Sequence, residues 1–219
     1  MKRILFSIIL CTVMVVSTNA LAQNQSYKPY NWTGLYFGLQ GSYLTGDSEW
    51  ESHYSGSRLD HNIDGGMGGF FIGYNYQTPF KLVVGIETEM NFGRVDGSSI
   101  CPNSSYSCHT DVNWIGSTHG RFGYALDRFL PYVTIGWAYG GAETYMKHLS
   151  TGREYGSDNG YFGFTPGIGF EFAITKNLLV RAEYSFYYFF KSGDEYDYYD
   201  DTDVQIDASA FKVGLSFKF

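Results

Sequence analysis

The sequence predicts an all-β protein: an eight-stranded antiparallel up-and-down transmembrane β-barrel with short periplasmic turns and four long extracellular loops. Three observations carry that expectation. Apolar residues recur at every second position through eight segments. The connections between them alternate between short and long. Aromatic and glycine residues are abundant while mean hydropathy stays at −0.21. The chain has 219 residues, with 20 Tyr, 18 Phe, 4 Trp and 27 Gly. Beyond residue 22 no apolar run reaches the length of a membrane helix. A formal charge of −7 argues against nucleic acid as a partner, because phosphate binding needs clustered Lys and Arg.

The first residues set the compartment. Met1-Lys2-Arg3 is a basic start, 4–16 is an apolar core, and Ala20-Leu21-Ala22 is a small-x-small cleavage site. Residues 1–22 therefore match a secretory signal peptide, cleaved to leave an outer-membrane barrel domain over 23–219. The expected location is the outer membrane of a Gram-negative cell, with membrane lipid as the surrounding partner. Export into an oxidising compartment makes a disulfide between Cys101 and Cys108 the expectation, ahead of free thiols or a metal site. Only His109 adds a nearby ligand, and zinc takes four.

The expected strands are 34–44, 67–77, 82–94, 112–126, 132–146, 162–174, 179–190 and 208–219. Each is long enough to cross a bilayer when tilted. The short connections are 78–81, 127–131 and 175–178; the long ones are 45–66, 95–111, 147–161 and 191–207. In the third strand Leu82, Val84, Ile86, Thr88, Met90 and Phe92 share one face, and Glu87 and Glu89 lie on the other. Placing apolar faces toward lipid turns most strand aromatics outward. Glu143 and Arg94 are the outward charges. Glu87, Glu89, Glu171, Glu183, Arg121, Arg181, Lys212 and Lys218 turn inward, with His119 beside Arg121. A charge facing lipid at the midplane costs roughly 2–4 kcal/mol for Arg or Lys, so this segregation is meaningful. Four acids balance four bases, which predicts a paired network closing a narrow lumen. Inward glycines, among them Gly38, Gly85 and Gly169, leave room for the long side chains.

The last strand ends Lys212-Val213-Gly214-Leu215-Ser216-Phe217-Lys218-Phe219. Lys212, Gly214, Phe217 and Phe219 form a polar-x-Gly-x-x-aromatic-x-aromatic pattern resembling the terminal signal read by the barrel assembly machinery, an expected partner.

Longer motifs point to a family. Trp32-Thr33-Gly34-Leu35-Tyr36-Phe37-Gly38 resembles the W-x-G-x-Y-x-G start of small alphaproteobacterial outer-membrane proteins. Arg121-Phe122-Gly123-Tyr124-Ala125-Leu126-Asp127-Arg128-Phe129-Leu130-Pro131-Tyr132-Val133 is similar to their central hairpin. Glu171-Phe172-Ala173-Ile174-Thr175-Lys176-Asn177 and Ala182-Glu183-Tyr184 resemble the next one. The resemblance implies an OmpA-like eight-stranded barrel of a group often labelled a porin family, which includes surface antigens and haemin-binding proteins. It covers nearly the whole chain outside the four long loops.

Candidate chemistry is sparse. Segment 191–207 is rich in Asp and Tyr, but no calcium-loop pattern is present and no metal site is expected. His53, His61, His109 and His148 fall in or beside the long loops, where neutral imidazoles can ligate haem iron. Acidic loops would repel haemin's propionates. His61 lies near Asp60 and Asp64, but no Ser motif marks a nucleophile, so no catalytic residues and no enzyme are expected. The leading expectation is a structural and surface-interaction protein of the envelope, free of cofactor, whose loops face the environment and host surface molecules. The alternatives are a haemin-binding surface receptor and a narrow passive pore.

Overall fold

The computed structural model describes residues 28–52, 58–100, 106–148, 150–152, 154–190, 192–195 and 201–219. The signal-peptide segment, Cys101 and His53 lie outside them, as do the side chains of Cys108 and His61.

The strands are β1 Gly34–Ser52, β2 Arg58–Gln77, β3 Leu82–Ile100, β4 Tyr106–Tyr124, β5 Phe129–His148, β6 Glu154–Ala173, β7 Leu178–Phe189, β8 Ser192–Glu195 and β9 Asp201–Lys218. Neighbours in sequence pair antiparallel from β1 to β7, and β7 pairs with β9. The wall closes where β1 pairs with β9, from Tyr36 opposite Lys218 to Ser52 opposite Thr202. The short β8 also pairs with β9, above the end of β7, so the barrel has eight staves. Closure leaves no bare edge in a medium without water to hydrogen-bond the backbone.

Alternation gives the wall two opposite surfaces. Leu39, Ile86, Trp137, Ile168 and Phe211 stand outward and exposed. Glu87, Glu89, Arg121, Arg181, Glu183 and Lys212 are buried inside. The exterior is the apolar face, as lipid requires.

Two expectations need correction. The long connections are largely strand. Backbone pairing continues past the bilayer to Ser52, Ile100 and His148. In 45–52 polar residues occupy both alternations of the strand, so the one-sided hydropathy signal fades while the ladder persists. The second correction is a bulge. Trp114 pairs with Gly141, but Val112 pairs with Ala142, so Asn113 is left over on β4. Strict alternation from Arg121 would turn Val112 outward; the extra residue turns it into the lumen, where it is buried.

Candidate functional site

The lumen is filled in three tiers. The lowest is apolar and centres on Trp32, fully buried among Val83, Leu130, Tyr132 and Leu179. The segment before β1 folds back across the periplasmic mouth to place it. Trp32 Nε1 donates to the Asp127 carbonyl at 2.9 Å, and Tyr30 N donates to Asp127 Oδ1 at 2.9 Å. Trp32 N donates to Gln77 Oε1 at 2.8 Å. Asp127 adopts φ 56, the left-handed conformation that an Asp tolerates in a tight turn. Tyr30 is pushed up to about 12, chiefly by burial and further by Glu171. Its neutral hydroxyl donates to the Lys176 carbonyl at 3.0 Å.

The middle tier is charged. Glu87 sits between two guanidinium groups: Arg181 Nη1 donates to Oε1 at 2.6 Å, and Arg121 Nη1 donates to Oε2 at 3.1 Å. Arg121 Nη2 reaches Glu171 Oε2 at 3.2 Å. Lys212 Nζ donates to Glu89 Oε1 at 2.5 Å and to Glu183 Oε1 at 3.1 Å. His119 Nε2 lies 3.4 Å from Glu87 Oε1. Neutral side chains add further hydrogen bonds. Tyr36 donates to Glu87 at 2.7 Å, Tyr132 to Glu183 at 2.9 Å and Ser117 to Glu89 at 3.0 Å. Gln40 donates to Glu89 at 2.9 Å and accepts from Arg181. Rings cover the cations: Arg181 lies 3.4 Å from the Phe71 centroid and Arg121 4.0 Å from that of Tyr132. The top tier is again apolar, with Leu44, Ile63, Met67, Ile115, Tyr187 and Phe189 among its members.

Eight of the nine inward residues named from sequence meet in the middle tier. Lys218 does not. It is half-buried at the mouth, donates to the Asn31 carbonyl and lies 4.6 Å over the Tyr30 ring. Its strand position is inward, but the lumen ends one layer above it. The middle tier thus holds four acids against three bases and His119. Sequence reasoning missed the cap, because nothing in Tyr30-Asn31-Trp32 shows period two. It also missed the rings. Inward glycines opposite inward aromatics were the available signal: a Cβ on Gly38 would stand 2.2 Å from Phe71, and one on Gly73 2.3 Å from Tyr36.

Glu87, His119 and Glu183 bring possible ligand atoms within 4.8 Å of one another. Arg121, Arg181 and Lys212 already occupy those carboxylates, and three fixed cations oppose the entry of a metal ion. The described histidines do not converge. His109 stacks on Tyr145 at 4.8 Å and shares a 3.0 Å hydrogen bond with Ser107. His148 Nδ1 accepts from Ser150 N at 3.3 Å. His109 pairs with Tyr145 and His148 with Tyr106, three residues apart in register, so the two rings leave opposite faces of the hairpin. That arrangement does not fit a shared haem iron. Of the assembly-signal residues, Lys212 is buried in the lumen, while Phe217 and Phe219 face outward.

The family described as "Outer membrane protein beta-barrel domain" matches residues 8–219. The chain belongs to this family. Among outer-membrane relatives, it is 32% identical over 185 residues to the 31 kDa outer-membrane immunogenic protein of Brucella melitensis, covering 78% of this chain and 77% of that one. It is 31% identical over 208 residues to the 22 kDa outer membrane protein of Rhizobium leguminosarum bv. viciae, covering 90% and 83%. The barrel is also similar to the outer membrane protein OprG of Pseudomonas aeruginosa, with TM-score 0.52 and 14% identity, covering 86% of this chain and 98% of that one. That likeness concerns the fold. The protein is an integral outer-membrane β-barrel with its hairpins at the cell surface.

Proposed function

We propose that this barrel is a sealed, non-enzymatic anchor that displays long surface hairpins and ties them rigidly into the envelope. The observation that carries the reading is the filled lumen: Trp32, Glu87 and Ile63, one from each tier, are each at most 1% exposed. A bore occupied from mouth to mouth has no continuous water path, which disfavours the passive-pore alternative. The relatives named as outer-membrane immunogenic proteins support a display role. The rim also argues against hydrolysis. Ser107 meets His109, but its backbone lies in the ladder between Ile100 and Lys147, which commits the amides an oxyanion hole would use. The haemin alternative loses support from the opposite faces of His109 and His148.

The deciding measurement is single-channel current from refolded protein in a planar bilayer. Silence across the voltage range is expected. Steady unitary currents would overturn the sealed reading, and a Soret shift on haemin titration would restore the receptor.

A further inference from the structure

The three periplasmic turns are built alike. Lys81 closes the turn after β2, and its carbonyl accepts the Ala125 N–H at 2.8 Å. Arg128 sits in the turn after β4, and its carbonyl accepts the Ala173 N–H at 2.8 Å. Asn177, beside Lys176, sits in the turn after β6, and its carbonyl accepts the Lys218 N–H at 2.7 Å. Each turn is thereby bonded to the next hairpin and shows a cation at or beside the linking carbonyl. Lys28, Lys81, Arg128 and Lys176 are all exposed. Across residues 28–33 and the three turns Asp127 is the one acid, and it is bonded to Tyr30.

Apolar side chains fix the height of the three turn cations. Phe80 and Leu82 flank Lys81, exposed by 81% and 50%. Leu126 and Phe129 flank Arg128, and Ile174 and Leu178 flank Lys176, all exposed. The lipid-facing surface therefore runs down to the turns themselves. Cations at such a boundary lay their stems along hydrocarbon and bring their heads to the phosphate layer. They do not stand clear of the membrane, as contact with a cell wall would require. The opposite rim has the other sign: Asp47, Asp64 and Glu143 face outward there, and Arg94 is held by Asp111 at 3.1 Å.

We propose that the ring of Lys28, Lys81, Arg128 and Lys176 is a docking surface for anionic phospholipid headgroups of the periplasm-facing leaflet. The ring binds phosphatidylglycerol-type headgroups in preference to zwitterionic ones. Each cation near an anionic surface is worth about a fivefold preference, weakened by salt.

The test uses refolded full-length protein in bilayers mixing phosphatidylglycerol and phosphatidylcholine, each in turn carrying a spin label, with the lipid shell read by electron paramagnetic resonance. Enrichment of phosphatidylglycerol by about fivefold or more at low salt is expected. The triple variant Lys28→Gln, Lys81→Asn, Lys176→Gln should remove most of the enrichment, leaving no more than the share of Arg128. It spares Arg128, whose Nη1 donates to the Ala173 and Ile174 carbonyls. Asn suits position 81, where φ is 66. Heat-modifiable migration on a gel verifies folding, and the single variants Lys81→Asn and Lys176→Gln, each expected to lose part of the enrichment, serve if the triple variant fails it. Arg94→Gln should leave the enrichment intact. Equal shells in the wild type, or enrichment that the triple variant leaves undiminished, would overturn the proposal. So would sedimentation with purified peptidoglycan sacculi that is lost in the triple variant while the lipid shell shows no preference.

Discussion

Trp32 and Glu87 show how single residues hold this barrel shut. Trp32 is fully buried, and its ring nitrogen is bonded to the turn at Asp127. Trp32→Ala removes both the packing and the hydrogen bond, for an expected loss of about 3–5 kcal/mol. Guanidinium unfolding in detergent micelles measures it, and limited proteolysis should newly cut the segment before β1. A loss under about 1 kcal/mol would mean the cap adds nothing to stability. Glu87 is different in kind. It faces Arg121, Arg181 and His119 together. Glu87→Gln keeps the shape but strips the counter-charge from two buried guanidinium groups. Breaking a buried pair on one side costs about 3–5 kcal/mol, because the orphaned charge stays desolvated. The same unfolding midpoint reports it, and a change near zero would show that the neighbouring acids Glu89 and Glu171 compensate.

At the scale of the strand, glycines separate the two faces. Gly38 points into the lumen, where a Cβ would stand 2.2 Å from Phe71 and 2.6 Å from the Leu215 carbonyl. Gly41, three residues on and facing out, has no atom within 4 Å of such a Cβ. Gly38→Ala should therefore destabilise by about 1–3 kcal/mol through overpacking, while Gly41→Ala should be neutral or mildly stabilising. Equal effects in the unfolding assay would contradict the packing account. These positions also mark what could be read from sequence. The faces were legible because lipid and lumen impose opposite chemistry on alternate residues, so Ile86 and Glu87 announce their sides. Three things were not. The ladder above the bilayer keeps its hydrogen bonds but loses its apolar face, so 45–52 read as loop although β1 runs through it. The bulge that turns Val112 inward leaves Asn113 over in the pairing of β4 with β5, and Asn113 is neither Gly nor Pro. The cap is an irregular segment whose partners, Gln77, Asp127 and Lys176, are distant in sequence. Periodicity reports on neighbours along a strand and is blind to all three.

In the whole molecule the tiers stack along one axis, and each closes the bore on a different principle. The outer tiers exclude water by packing apolar groups. The middle tier uses paired charges whose side chains span the lumen, Arg181 of β7 reaching Glu87 of β3 across it. Redundancy of this sort predicts how the barrel would open. Trp32→Ala hollows the periplasmic tier but leaves Arg121, Arg181 and Lys212 in place, so planar-bilayer recordings should stay silent. Opening the middle tier alone, as in the triple variant Glu87→Ala, Arg121→Ala, Arg181→Ala, leaves both apolar tiers, and silence is expected again. Combining these four substitutions, with folding verified by heat-modifiable migration, should thin the seal to the top tier, with Leu44, Ile63, Met67, Ile115, Tyr187 and Phe189 among its members, and to the Lys212 pairs with Glu89 and Glu183. Intermittent small currents are then expected. Currents from Trp32→Ala alone would show that the charged layer carries water and ions between its side chains, and that the seal belongs to the periplasmic cap.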